Sequence, residues 1–278
     1  MNVFLFTLLI LICSLAAGLL GSLTGLGGGV VIVPLLVLVF KVNIHYAAGA
    51  SLISVIATSS GAAAAYVKEG YSNVRIGMLL EVATTLGALY GAYLVAKVSP
   101  SAIAVIFGVV LILSAYLSLR KPPNISDARS PDRLAAWLRL NGDYPTPQGL
   151  KAYTVRRVPV GFLVCNVAGI LSGLLGIGSG ALKVLGMDQA METPFKVSTA
   201  TSNFMIGVTA AASAGIYFHR GYIDPSLAMP VMLGVLFGAF MGARIMPGAA
   251  THYLRVLFSA TIVVLGIEML VKGLTGKL

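Results

Sequence analysis

The chain has 278 residues, of which 58% are hydrophobic and 10% charged, and its mean hydropathy is +0.93. Soluble domains carry about 25% charged residues, so the composition excludes an ordinary water-soluble fold and points to a polytopic membrane protein. A net charge of +10 would suit a nucleic-acid binder, but much of it sits in one loop between apolar segments, where it sets topology; no nucleic-acid partner is expected.

In chain order, apolar windows of about 20 residues, the length of a bilayer span, occur at 3–23, 45–66, 76–96 and 101–119. They recur at 158–175, 197–218, 226–246 and 254–271. Between the first two windows of each half lie shorter apolar runs, 29–40 and 180–191, which read as half-helices. The first window has no Lys or Arg before Lys41; it lacks the basic flank of a signal peptide and is expected to remain as the first helix. Ser99-Pro100, Ser130-Pro131, Thr193-Pro194 and Asp224-Pro225 each place a capping side chain before a proline, which marks helix starts. Cys13 and Cys165 lie in apolar spans as small hydrophobes. No disulfide or metal spacing is present, and neither a cofactor nor a metal is expected.

One short stretch occurs twice. Residues 17–30 and 168–183 superpose without a gap, so that Gly18, Gly25, Gly27 and Gly29 fall on Gly169, Gly176, Gly178 and Gly180, an offset of 151 residues (169 − 18). The same offset sets Ser51 on Ser202, Tyr66 on Tyr217 and Gly70-Tyr71 on Gly221-Tyr222. This is a duplicated unit. The expected fold is an all-α polytopic membrane protein of two homologous halves, 1–119 and 158–278, each with about four transmembrane helices and a Gly-broken half-helix. The arrangement favoured is eight spans, four plus four. If each broken segment crosses once, the halves are parallel and both termini share the side of the central insert; if it crosses twice, the halves are inverted.

The insert, 120–157, carries Arg120, Lys121, Arg129, Arg133, Arg139, Lys151, Arg156 and Arg157 against Asp127, Asp132 and Asp143, which leaves 8 − 3 = +5. Such a loop is cytoplasmic by the positive-inside rule. Ser130 to Leu140 is expected to form a short helix, with Arg133, Leu134, Trp137 and Leu138 spaced to lie along the membrane surface.

Glycines in an apolar run break a helix at about 1 kcal/mol each relative to Ala. Broken backbone at membrane depth survives only where protein or a cavity covers it. The helix that restarts then offers free N–H groups to an anion; close helix packing is the plainer alternative. The expected binding residues are Gly25, Gly27, Gly28 and Gly29 with Ser51, and Gly176, Gly178, Ser179 and Gly180 with Thr201, Ser202 and Asn203. Lys183, three positions past the second break, is the most informative of all, because an ammonium at membrane depth is functional by default. Among the few acids, Glu81 and Asp188 are candidates to carry a proton, and Asp188 is a candidate partner for Lys183. His45, His219 and His252 fall at span ends. A nucleophile elbow, a clustered metal site and a GxxxxGK[ST] loop are all missing from the sequence.

The twin glycine elements, Leu-Ser-Gly-Leu-Leu-Gly-Ile-Gly-Ser-Gly at 171–180, Pro-Phe-Lys-Val-Ser-Thr-Ala-Thr-Ser-Asn-Phe-Met-Ile-Gly-Val-Thr-Ala at 194–210 and Gly-Tyr-Ile-Asp-Pro at 221–225 resemble the sulfite exporter TauE/SafE family of membrane permeases. The resemblance covers nearly the whole chain apart from the insert. It implies secondary transport, outward, of small sulfur-containing or organic anions such as sulfite, thiosulfate or sulfonates, with proton coupling as an option. A membrane scaffold or an anion channel are the alternatives, and a second copy of the chain is left open as a partner.

Overall fold

The computed structural model describes residues 3–24, 28–68, 70–119, 132–146, 149–178, 180–245 and 251–276. Its helices are α1 (Val3–Thr24), α2 (Gly29–Leu38), α3 (Ile44–Lys68), α4 (Val74–Leu94) and α5 (Pro100–Leu119). After a short α6 (Arg133–Trp137) and a hairpin of β1 (Gly142–Thr146) and β2 (Gly149–Tyr153) come α7 (Val158–Leu175), α8 (Gly180–Leu185), α9 (Phe195–His219), α10 (Pro225–Ile245) and α11 (Thr251–Thr275). Each expected span has its helix, and each half-helix run begins one: α2, and α8 continuing into a π turn (Gly186–Ala190).

Two of the four proline-marked starts hold as capped: Ser99 Oγ accepts from Ala102 N (3.3 Å) and Asp224 Oδ1 from Ser226 N (2.9 Å). Thr193 does otherwise. Its hydroxyl turns back to Met187 O (2.7 Å), and α9 starts beyond it without a side-chain cap. Ser130-Pro131 lies outside the described residues. The all-α expectation also needs correction in the insert, where the antiparallel hairpin pairs Gly142 with Tyr153 through Thr146 with Gly149. Its strands are too short and too polar to register as a period in hydropathy.

The molecule wears its hydrophobic side outward. Met78, Val82, Leu86 and Tyr90, spaced at i+4 along α4, are all exposed, as are Leu163 and Val167 on α7 and Phe237, Phe240 and Met241 on α10. Many serines and threonines and a few charged residues are buried, among them Ser51, Ser54, Thr84, Lys183, Ser198, Thr209 and Ser213. In water such a surface would aggregate; in hydrocarbon it is the correct solvent-facing side. By length and composition α4 and α7 each suffice to cross a membrane.

With lipid outside, packing rather than the hydrophobic effect holds the helices together, and small residues let backbones meet. A Cβ on Gly87 would run into Asn166 O, on Gly91 into Ile170 O, and on Gly173 into Ala88 O, which docks α4 on α7. Gly18, Gly234 and Gly238 dock α1 on α10 in the same way, against Val235, Leu11 and Leu15. Several of these contacts recur at the offset of 151 residues: Gly18–Val235 matches Gly169–Thr84, and Gly238–Leu15 matches Gly87–Asn166.

The residues that meet also give helix direction. Gly87 and Gly91 advance along α4 as Asn166 and Ile170 advance along α7, so the two are parallel; Gly234 and Gly238 advance with Leu11 and Leu15, so α1 and α10 are parallel. α3 and α9 run oppositely, since Gly49 lies against Tyr222 and Gly207 against Ser59, and so do α5 and α11, since Gly108 lies against Gly266 and Gly273 against Ser101. Short turns reverse the chain between α3 and α4, α4 and α5, and α9 and α10. Therefore α1 and α3 point the same way, and α2 is the return stroke between them. This differs from the single crossing that a parallel four-plus-four arrangement requires. The insert sits against residues 70–75, while Phe6 of α1 packs on Phe40 at the opposite end, where α11 also finishes beside Ser101.

If backbone contact at the small residues holds α4 to α7, Gly173→Val should lower the thermal midpoint of the detergent-solubilised protein, at a cost of about 1–3 kcal/mol from overpacking. Gly215→Ala, where an added Cβ meets nothing, should leave it unchanged. Equal midpoints for the two variants would refute this packing.

Candidate functional site

Three elements converge on one buried polar cluster. α4 presents Glu81, Thr84 and Thr85, which the i, i+3, i+4 spacing sets on one face. α9 presents a stripe of Ser198, Thr201, Ser202, Met205, Thr209 and Ser213 on its buried face. α8 begins at Gly180 and carries Lys183 on its first turn.

Lys183 is 0% exposed. Its ammonium donates to Thr209 Oγ1 at 2.6 Å, and Thr209 in turn donates to Glu81 Oε1 at 2.7 Å. Thr85 also donates to Glu81 Oε1 (3.0 Å), and Thr84 Oγ1 stands 3.3 Å from Thr209. A hydroxyl that accepts from a cation and donates to an anion relays their attraction, so the cluster is a charge pair bridged by Thr209. Burial of either ion alone would cost several kcal/mol, and here the two balance. The balance leaves two lone features: Glu81, 9% exposed, keeps Oε2 enclosed with no hydrogen-bond partner among the described residues, and so does Asp188 with Oδ1.

The expected Lys183–Asp188 pair is therefore replaced by Lys183–Thr209–Glu81. Five residues apart on a helix is about 140° away around the axis, and the π turn that holds Asp188 begins only after α8 ends. Asp188 is 5% exposed and stands apart from this relay. Glu192 faces Arg156 of the insert at 3.4 Å.

The breaks themselves are shaped by glycine. Gly176 and Gly178 have φ of 71° and 72°, a left-handed conformation that a side chain disfavours, and Gly176 N closes α7 on Ser172 O (2.8 Å). At the restart of each half-helix a serine reaches in from the neighbouring long helix. Ser51 Oγ donates to Gly29 O (3.4 Å) and Ser202 Oγ to Gly180 O (3.1 Å), the same bond at the same offset. These hydroxyls spend their hydrogens on backbone, so they fix the half-helices in place. Gly28 packs against Val235, and Gly29 is close enough to Ser51 that a Cβ there would touch its Oγ. Thr201 accepts from Asn73 N (3.0 Å), and Asn203 is buried on the same helix. Gly25, Gly27 and Ser179 lie outside the described residues.

Sequence reasoning missed Thr209, Thr84 and Thr85. A signal for the pair was available. Shifted by the repeat offset, Lys183 falls on Ile32 and Glu81 on Met232; each half supplies one charge of the pair, and the position related to it by the repeat, Ile32 with Met232, has neither, as two groups that need each other would.

The family model described as sulfite exporter TauE/SafE matches residues 10–269. Among curated proteins, the chain is 26% identical to the probable membrane transporter protein YunE of Bacillus subtilis over 96% of its own length and 98% of that protein's. It is 27% identical to YdhB of the same organism, over 85% and 89%, and 25% identical to a probable membrane transporter protein of Methanocaldococcus jannaschii, over 94% of each. No solved structure matches.

A bridged charge pair makes a specific prediction for stability. Lys183→Met alone, or Glu81→Met alone, leaves one buried ion uncompensated and should cost about 3–5 kcal/mol. The double variant should be more stable than either single one. Additive losses in thermal unfolding would show that the two charges do not interact.

Proposed function

From a chain that belongs to the sulfite exporter TauE/SafE family and is a membrane transporter by that kinship, we propose a secondary transporter that moves a small sulfur-containing or organic anion, such as sulfite, thiosulfate or a sulfonate, together with a proton. The observation that carries this reading is the enclosed Lys183, joined to Glu81 through Thr209 so that the two charges offset each other. While Glu81 is ionised, the site has no net charge to offer an anion. When Glu81 takes a proton, Lys183 is left uncompensated in a low-dielectric interior, and a bound anion restores the balance. Anion and proton therefore load together. The free N–H groups at the start of α2, and the backbone at Gly176, Gly178 and Gly180, complete the cradle around the anion. Their serines, Ser51 and Ser202, hold the half-helices at fixed depth.

The two halves act as inverted repeats that rock about this site, each with a half-helix that returns to the middle of the fold. The insert end is cytoplasmic: Arg75, Arg133, Arg139, Lys151, Arg156, Arg157 and Lys196 lie there, against Lys41, Lys97, Arg220 and Lys272 at the other end. An anion that accumulates inside a prokaryotic cell then leaves with its proton once its outward gradient exceeds the inward proton gradient, so the chain works as an exporter in the plasma membrane.

Uptake of labelled sulfite, thiosulfate and an organic sulfonate into proteoliposomes tests this. One of these anions should accumulate faster when a proton gradient drives it inward. Lys183→Ala should abolish transport, Thr209→Val should slow it about tenfold or more, and Glu81→Gln should still exchange anion for anion but ignore the gradient. Full gradient-driven uptake by Glu81→Gln would overturn the coupling, and no movement of any anion by folded wild type would overturn transport of this class.

A further inference from the structure

At the insert end a cleft of about 280 Å³ opens between residues 70–75 and the insert, lined among others by Asn73, Arg75, Arg139, Asn141, Asp143 and Tyr153. Two guanidinium groups against one carboxylate make it positive. Arg75 Nη1 donates to Arg139 O (3.0 Å), and Arg139 itself is held at φ 50°, a left-handed conformation that a non-glycine residue adopts at a cost. The Tyr153 phenol accepts from Asn73 Nδ2 (2.6 Å), and among the described residues its own hydrogen meets no acceptor. Burial pushes that phenol above its ordinary range, so it remains a donor at neutral pH. The lining thus supplies fork-shaped cations and a neutral O–H, the donors that bind a tetrahedral or pyramidal oxyanion.

Asn73 joins this cleft to the transport helices. Its backbone N–H donates to Thr201 Oγ1 on α9 (3.0 Å), its Oδ1 caps α4 by accepting from Ile76 N (3.1 Å), and its Nδ2 also reaches Leu140 O of the insert (2.8 Å). α4 carries Glu81 and α9 carries Thr209. A shift of Asn73 moves the start of α4 against α9, and with it the distance that the Thr209 bridge must span.

We propose that this cleft binds a small oxyanion of the sulfate or phosphate class at the insert end, and that its occupancy regulates the Lys183–Thr209–Glu81 site through Asn73. The regulatory half rests on the transport reading; the binding half does not. The chain's one tryptophan, Trp137, is 80% exposed and two residues from Arg139, so it reports on the cleft directly. Purified full-length protein in lipid-free detergent should show a saturable change in tryptophan emission with sodium sulfate or phosphate and none with sodium chloride at matched ionic strength. The midpoint should rise about tenfold or more in Arg139→Gln and in Arg75→Gln; both residues are exposed, and an unchanged gel-filtration profile confirms that the variants fold. Repeating the titration with phosphatidylglycerol vesicles tells a lipid headgroup from a free ion as the source of the oxyanion, and saturation by either supports the site. In proteoliposomes, Thr201→Val, which removes the hydroxyl that accepts from Asn73 N and lies outside the cleft lining, should keep the emission change but lose the effect of sulfate at the insert side on transport. An emission change that never saturates, that chloride reproduces, or that both arginine variants retain at wild-type midpoint overturns the site. Saturable binding by a protein that transports nothing would uphold the cleft and remove the transport reading instead.

Discussion

A charge buried in hydrocarbon has to be balanced where it sits, and in this protein that requirement organises the interior. Lys183 stands fully enclosed, and the acid that balances it comes from a different helix in the other half of the chain, with a threonine between them. Direct contact would make the tightest pair. Insertion of Thr209 lengthens the separation and makes the attraction depend on one hydroxyl, whose position is set by where α9 lies relative to α4. A site built this way can respond both to a proton and to helix movement, the two inputs that the proposed carrier has to join.

Everything else positions those three side chains without adding charge. Glycines at the α4–α7 and α1–α10 contacts bring backbones together where lipid provides no driving force for association. Serines pin the first carbonyl of each half-helix. The left-handed glycines at 176 and 178 end α7 and free the chain to restart at Gly180, which places Lys183 at the depth of Thr209 instead of at an interface. At the insert end, Asn73 gathers α4, α9 and the hairpin into one node.

Much of this architecture could be read from residues alone, because hydropathy windows and proline-marked starts are local signals. The glycine break after α7 and the enclosed lysine just beyond it followed from the same source. What escaped was set by contacts between distant segments. Glu81 was recognised as an acid within a span, but the partner of Lys183 was sought at Asp188, near in sequence and on the wrong face. Thr209 gave no signal by itself, since a threonine in a helix is ordinarily a packing residue. The return course of α2 escaped too: loop charges at Lys68, Arg75, His219 and Arg220 are too few to decide direction, whereas the docking of α1 on α10 decides it at once. The hairpin in the insert was invisible because neither strand alternates apolar and polar residues.

The central claim is that anion and proton enter together, because the anion replaces the charge that Glu81 gives up to protonation. The most direct measurement is proton uptake by purified protein in weakly buffered detergent, followed with a pH dye as the transported anion is added. Uptake of about one proton for each anion bound is expected, since one carboxylate is neutralised for one anion, and none in Glu81→Gln despite retained binding. Anion binding by the wild type with no change in bound protons would contradict it.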